Sequence, residues 1–276
     1  MNPHTRPQTS PQSLLGSLWG NRRLIRQMIR REVIGRYHGS IFGLGWSFLN
    51  PMFMLALYTF VFSVVFKARW GVDGDESKTV FAVVLYVGLI CHLMFSEVVL
   101  RAPTLIQSNV NYVKKVVFPL EILSVVTMGS AIFHSMASLI VLLLMFVLIN
   151  GFVYWTALLA PLVLLPLVFV ALGFSWFLAS MGTYLRDVGH TVGIVTTALL
   201  FFSPVFYPLS FLPEKYHVYL MMNPLTFIIE QARKVLIFGQ LPDWGGLAIY
   251  TIVSCLVAWA GYWWFQRTRK GFADVL

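Results

Sequence analysis

The fold of this chain is decided by residues 122–185, which read ILSVVTMGSAIFHSMASLIVLLLMFVLINGFVYWTALLAPLVLLPLVFVALGFSWFLASMGTYL. This run of 64 residues contains no Asp, Glu, Lys or Arg. As a single helix it would be about 96 Å long, because each residue adds about 1.5 Å, whereas the hydrocarbon core of a bilayer is about 30 Å thick. The run must therefore fold back on itself, and we expect the turn at Asn150-Gly151.

The composition of the whole chain agrees with this run. Hydrophobic residues make up 58% of the 276 residues and charged residues only 11%, against about 25% charged in an average soluble domain. So little charge cannot cover a water-facing surface, which excludes a soluble globular enzyme, and the hydrophobicity excludes intrinsic disorder. The apolar runs are also too long for the alternating pattern of a membrane β-barrel. We therefore predict an all-α, polytopic membrane protein, a single domain over residues 1–276, with six transmembrane helices near 44–66, 79–100, 122–149, 156–183, 189–207 and 245–266.

The basic residues predict the orientation of these helices. With six spans both termini lie on one side of the membrane, and that side would carry 14 of the 20 basic residues. Because loops rich in Lys and Arg stay in the cytoplasm, we expect both termini there. The basic composition is then a consequence of topology, and no nucleic-acid partner is needed to explain it.

Three segments outside the spans carry functional signals. Residues 13–32 form a predicted amphipathic helix whose basic face would lie along anionic membrane lipids, or would simply be a solvated segment before the first span. Residues 103–121 form a predicted cytoplasmic segment, in which exposed aromatic rings beside two lysines suggest a docking surface. Residues 204–238 contain apolar stretches too short to span, interrupted at Asn223-Pro224, which indicate two short re-entrant or interfacial helices on the outer side.

Two features inside the predicted spans have a possible role. Tyr58, Phe62 and Phe66 recur one helical turn apart, which is typical either of ordinary packing or of the aromatic lining of a conduit. Glu97 is the only acidic residue within a predicted span. We expect it to form a local ion pair with Arg101, one turn later.

The residues that catalysis would need are scattered along the chain. No group of His, Asp and Glu has the spacing of a metal site, and no Gly-x-Ser-x-Gly motif marks a nucleophile, so we assign no catalytic residue and no metal. The sequence has no G-x-x-x-x-G-K-[ST] phosphate-binding loop either, so we assign no cofactor to this chain. If ATP drives its activity, a separate ATPase subunit must bind the nucleotide, and residues 103–121 are where that subunit would dock.

Three ordered stretches resemble the polysaccharide-export ABC permeases, a family that exports O-antigen, teichoic acid and capsule chains. Residues 31–62, beginning REVIGRYHGSIFGLGWSFLNP, are similar to the opening of that family, and NYVKKVVFPLEI at 111–122 is similar to its coupling-helix region. The stretches YPLSFLPEKY at 207–216, MNPL at 222–225 and PDW at 242–244 are similar to its external gate. Leu120 is a departure, because most members carry a basic residue at that position.

The resemblance implies a permease homodimer with two copies of an ATPase subunit, which would bind the ATP and magnesium. It implies that lipid-linked polysaccharide, with O-antigen favoured, crosses the bacterial inner membrane between the two permeases. For contact with the ATPase it implies Asn111, Tyr112, Lys114, Lys115, Phe118 and Glu121, and for the external gate Tyr207, Pro208, Pro213, Asn223, Pro224, Glu230 and Arg233. We assign the conduit lining to Trp46, Tyr58, Phe62, Phe66, Phe202 and Phe206, and binding of membrane lipid or a diphosphate head group to Arg23, Arg26, Arg30 and Arg31.

Other interpretations stay open at this point. A permease of the same architecture could export small molecules or lipids, and analysis of surface glycans after gene deletion would separate the two. An integral-membrane glycan or lipid transferase is a different class, and it needs a carboxylate cluster at the membrane interface that this sequence does not offer. An ion-coupled carrier is disfavoured by the nearly charge-free spans.

Overall fold

The computed structural model describes residues 9–65, 78–114 and 118–276. The structure is 83% helix, and no β-strand occurs in these three stretches, which confirms the all-α prediction. The helices are, in chain order, α1 (Pro11–Gly20), α2 (Arg22–Arg36), α3 (Trp46–Tyr58, followed by a π-helical turn over Thr59–Val65), α4 (Lys78–Arg101), α5 (Val110–Lys114), α6 (Ile122–Asn150), α7 (Ala160–Tyr184), α8 (Val188–Phe202), α9 (Glu214–Met221), α10 (Thr226–Leu236), α11 (Trp244–Thr268) and α12 (Phe272–Val275).

Five helical segments of the described chain are long and apolar enough to cross a bilayer. They make this chain a multi-pass membrane protein and correspond to five of the six predicted spans. The turn expected at Asn150-Gly151 is confirmed, because α6 ends at Asn150 and Gly151 adopts a left-handed conformation with φ 79°. The five segments are Gly43–Phe62, Phe81–Thr104, Ile122–Asn150, Trp155–Tyr184 and Trp244–Val275.

The remaining predicted span, 189–207, is shorter in the structure. Helix α8 has 15 residues, about 22 Å, whereas a spanning helix needs about 20 residues. It ends at Phe202 because Ser203 precedes Pro204, and the residue before a proline is disfavoured in the helical region. Ser203 is accordingly extended, with φ −85° and ψ 149°. The count of six membrane-spanning helices is therefore not confirmed by helix length.

The predicted amphipathic helix over residues 13–32 is two helices, α1 and α2. Asn21 lies between them with φ −95° and ψ 10°, and its side-chain amide donates to the Ser17 carbonyl oxygen at 2.8 Å. Such a local side-chain bond competes with continuation of the helix. Helix α2 then continues to Arg36, beyond the predicted end.

Helix α4 is the centre of the bundle. Of its 18 most apolar consecutive residues 83% are buried, compared with 11% of the corresponding residues in the segment Gly43–Phe62. Helices α3, α6, α7, α8 and α10 all pack against it. Helix α11 lies outside and runs along α7, where a Cβ added to Gly173 would lie 2.6 Å from the Val257 carbonyl oxygen. Small residues allow this close approach of two helices.

Both ends of the described chain meet at one end of this bundle. An apolar cluster there contains Met28 of α2, Phe118 just before α6 and Phe272 of α12. We call this the terminal end, and the opposite end, where α9 and α10 lie, the distal end.

Candidate functional site

The arginines on the basic face of α2 differ in what they contact. Arg23, Arg26 and Arg30 are exposed and have no ion-pair partner in the described part of the chain. Arg31 instead reaches the segment before α6 and donates to the Tyr112 hydroxyl at 3.3 Å. Three of the four arginines predicted to bind a head group are therefore available to an anion. The fourth, Arg31, contacts the segment 111–121 that is predicted to meet the ATPase.

Helix α5 carries the first half of that segment. Asn111 and Lys114 are exposed there and Tyr112 is half-buried, while Lys115 lies outside the described residues. Phe118 stacks on Tyr112 with ring centroids 4.4 Å apart and is only 8% exposed. The expectation that both rings are exposed is wrong for Phe118, because Tyr112 and the apolar cluster of the terminal end cover it.

Glu121 is buried as well. Its carboxylate accepts from the Ser17 hydroxyl at 2.7 Å and from the Arg269 guanidinium at 2.8 Å. Its backbone carbonyl accepts from Trp176 Nε1 at 2.9 Å. The carboxylate is thus committed to residues of this chain, whereas the resemblance assigns Glu121 to the contact with the ATPase.

A second ion cluster at the terminal end was missed by reasoning from the sequence. Glu97 lies 2.5 Å from Arg36 and 3.1 Å from Nδ1 of His134, whereas the predicted partner Arg101 is 3.9 Å away. Arg101 pairs more closely with Glu32, at 2.5 Å. The local pair is therefore the weakest of these contacts, because α2 packs against the bundle and brings its own charges. A lone acid inside an apolar span needs a partner, and that signal could have pointed to His134 in the next span.

At the distal end one buried arginine fixes α10. Arg233 is 1% exposed, and its guanidinium donates to the carbonyl oxygens of Val84 at 3.2 Å and Val205 at 3.0 Å. It also pairs with Glu230 at 2.8 Å. Burial lowers the pKa of the Arg233 guanidinium, and the Glu230 carboxylate partly offsets that shift. Gly88 provides the space, because a Cβ there would lie 3.2 Å from both Arg233 Nη2 and Val205 Cα.

The segment between α8 and α10 is attached to the same region. The Asn223 side-chain amide donates to the Ser203 hydroxyl at 2.9 Å, and both residues are buried. The carbonyl oxygen of Pro224 accepts from the Tyr250 hydroxyl of α11. The predicted gate residues Asn223 and Pro224 therefore tie the turn before α10 to its neighbours.

The other predicted gate residues surround the start of α9. Tyr207 donates from its hydroxyl to the Phe201 carbonyl oxygen at 3.1 Å, and partial burial raises the pKa of Tyr207. Pro208 is buried, and Pro213 immediately precedes α9. Two short helices, α9 with eight residues and α10 with 11, lie within residues 204–238. Their re-entrant or interfacial placement and their role as a gate stay predictions.

Three of the six predicted lining residues form a continuous row of rings. Phe62 stacks on Phe206 with centroids 5.9 Å apart and lies 6.5 Å from the ring of Tyr58. The row joins α3 to the segment that follows α8. Phe202 is 68% exposed and Trp46 lies at the start of α3, so neither belongs to the row, and Phe66 lies outside the described residues.

Residues 23–237 match the protein family described as ABC-2 type transporter. The chain belongs to this family. The match begins at Arg23 in α2 and ends just after α10. It therefore includes candidate residues at both the terminal end and the distal end of this ABC-2 family member. Ser17 and Arg269, the two partners of Glu121, lie outside it.

Several relatives of this ABC-2 permease carry more specific names. It is 28% identical over 255 residues to the O-antigen export system permease protein RfbA of Myxococcus xanthus, covering 92% of this chain and 95% of the relative. An RfbA of Klebsiella pneumoniae is 25% identical over 246 residues, covering 87% and 90%. The polysialic acid transport protein KpsM of Escherichia coli is 23% identical over 252 residues, covering 89% and 93%.

Other features of the ABC-2 permease bear on catalysis, metal binding and ligand binding. Its family consists of transporter membrane components and not of catalytic enzymes. Across residues 9–65, 78–114 and 118–276 no group of three His, Cys, Asp or Glu side chains could hold a metal. A cavity of about 240 Å³ lies between α2, the end of α4 and the start of α6, and Arg31 and Arg101 both line it. This cavity gives the basic side of α2 a concave, partly polar surface.

Proposed function

We propose that this ABC-2 permease is the membrane subunit of an ATP-driven exporter of lipid-linked polysaccharide of the O-antigen type. The observation that carries the proposal is its similarity, over 92%, 87% and 89% of the chain, to relatives named for O-antigen export or polysialic acid transport. The proposed unit is a homodimer of this chain with two ATPase subunits in the bacterial inner membrane. Both termini lie in the cytoplasm, and α8 serves as the sixth crossing helix.

The proposed conduit is lined by the aromatic row Tyr58, Phe62 and Phe206. Sugar rings present C–H faces that stack on aromatic rings without needing a fixed charge. A processive conduit must hold many sugar units weakly, since tight binding at any one position would stop movement. An aromatic surface in apolar helices meets both requirements.

The proposed source of energy is a partner that holds the ATP and magnesium. Asn111 and Lys114 on α5 are exposed at the terminal end, and this supports a contact with the ATPase there. Lys114 adds a positive charge that an acidic surface of the partner would attract. In this proposal the terminal end faces the cytoplasm.

The proposed site for the charged end of the substrate is the basic side of α2. Arg23, Arg26 and Arg30 are exposed, and Arg31 lines the cavity beside them. Guanidinium groups bind phosphate oxygens through paired hydrogen bonds, so they suit a diphosphate head group as well as lipid phosphates. At the distal end, α9 and α10 form the proposed outer gate, which Arg233 attaches to α4.

Deletion of the gene tests the proposed substrate. We expect the deletion strain to lose long-chain surface glycan and to accumulate lipid-linked polysaccharide inside the cell, and we expect the wild-type gene to restore export. Unchanged surface glycan would overturn the polysaccharide assignment. Isolation of the tagged chain without any ATPase subunit would overturn the ATP-driven mechanism.

A further inference from the structure

Glu121 joins three segments that lie far apart in the sequence. Its Oε1 accepts from the Ser17 hydroxyl of α1 at 2.7 Å, and its Oε2 accepts from Arg269 Nη1, after α11, at 2.8 Å. These partners are 104 and 148 residues away along the chain. Arg269 also donates from Nη2 to the Phe118 carbonyl oxygen at 2.6 Å. Both carboxylate oxygens and both ends of the guanidinium fork are therefore used within the chain.

The Glu121 side of this junction is shielded from water, whereas the Arg269 side chain is 29% exposed. The Glu121 side chain is 6% exposed, and its backbone carbonyl accepts from the buried Trp176 of α7. Phe118, Leu120 and Phe272 bury their side chains in one apolar cluster beside it. Charge-assisted hydrogen bonds are stronger than neutral ones, and a charge left without its partner in such a place is costly. The segment that leads from α5 into α6 is thus held in one strongly favoured conformation.

We propose that Glu121 is a positioning residue for energy coupling, and that Ser17 and Arg269 make both ends of the chain part of the coupling apparatus. This rests on the proposed function, in which the exposed Asn111 and Lys114 touch the ATPase. Glu121 does not touch the ATPase but fixes the orientation in which α5 is presented to it. The C-terminal helix α12 packs against α5 and supports it from a second side.

Two substitutions and a matched control test this role in the complete complex with its ATPase. Glu121→Gln keeps the shape of the side chain and removes its charge, and Arg269→Lys keeps the charge but cannot reproduce the guanidinium fork. Lys270→Gln is the matched control, because Lys270 is exposed and neighbours Arg269. We expect the control to match wild type, and Glu121→Gln to retain bound ATPase and ATP hydrolysis while export falls about tenfold. Arg269→Lys is expected to lie between them.

The ratio of export to ATP hydrolysis separates positioning from simple structural damage, since a misfolded chain loses the ATPase altogether. Wild-type export by Glu121→Gln, at an equal amount of complex, would overturn the proposal. If Glu121→Gln does not assemble, Ser17→Ala and Arg269→Lys decide, and normal export by both would overturn it. Failure of the proposed function is seen separately, because deletion of the gene would then leave the surface glycan unchanged.

Discussion

Replacement of Arg233 by methionine is expected to detach α10 from the centre of the bundle. Methionine fills much of the same space but removes the hydrogen bonds to the Val84 and Val205 carbonyl oxygens and the ion pair with Glu230. Breaking a buried ion pair costs about 3–5 kcal/mol, because the remaining groups stay buried without partners. The Glu230 side chain is 29% exposed and can regain water, so we expect a loss near the lower limit, about 3 kcal/mol.

The free energy of unfolding measures this loss directly. The purified chain is titrated with a denaturing detergent in mixed micelles, and tryptophan fluorescence reports the unfolded fraction. Lys234→Met is the matched control, since it removes the neighbouring cation, which has no ion-pair partner in the described residues, and should change the free energy by less than about 0.5 kcal/mol. Equal unfolding free energies for Arg233→Met and Lys234→Met would refute the conclusion that these contacts hold α10 in place.

Three further tests, two of them with a comparison variant, concern other contacts. Gly261→Ala should destabilise the chain by about 1–3 kcal/mol, because its Cβ would enter the backbone of α7, whereas Gly16→Ala, with open space around it, should stabilise α1 slightly. The same sign for both in the unfolding titration would contradict the close packing of α7 and α11. Glu97→Gln should loosen α2, which faster chymotrypsin cleavage between α2 and α3 would reveal, and an unchanged rate would argue against that attachment. Phe206→Ala should reduce export of surface glycan several-fold while Phe202→Ala leaves it near wild type, and equal export by the two would exclude the aromatic row from the conduit.

The membrane spans could be predicted because transfer into lipid acts on every residue of a long run. The charge-free run 122–185 required a turn, and α6 does end at Asn150, followed by Gly151 with φ 79°. Helix ends that depend on a single residue were harder to place. The extended Ser203 ends α8 before the predicted boundary, and the side-chain bond of Asn21 divides the amphipathic helix.

The contacts of the candidate site could not be predicted because they join distant parts of the chain. Spacing shows that Glu230 can reach Arg233, but nothing in it indicates the Val84 carbonyl oxygen, 149 residues away. Glu121 follows a basic segment and therefore resembles an exposed charge, although its partners bury it. Only Glu97 carried a usable signal, since an unpaired acid within a membrane span is energetically unfavourable.

Helix α4 is attached to α2 at the terminal end of the bundle and to α10 at the distal end. At the terminal end Glu97 of α4 pairs with Arg36 of α2 at 2.5 Å, and at the distal end the Val84 carbonyl oxygen accepts from Arg233 of α10 at 3.2 Å. The two points are 13 residues apart, about 20 Å along the helix. Because α4 is closely packed on nearly all sides, it cannot bend freely between them. A displacement of α2 relative to α10 must therefore carry α4 along or break one of these two contacts, and the Glu97→Gln and Arg233→Met variants weaken them one at a time.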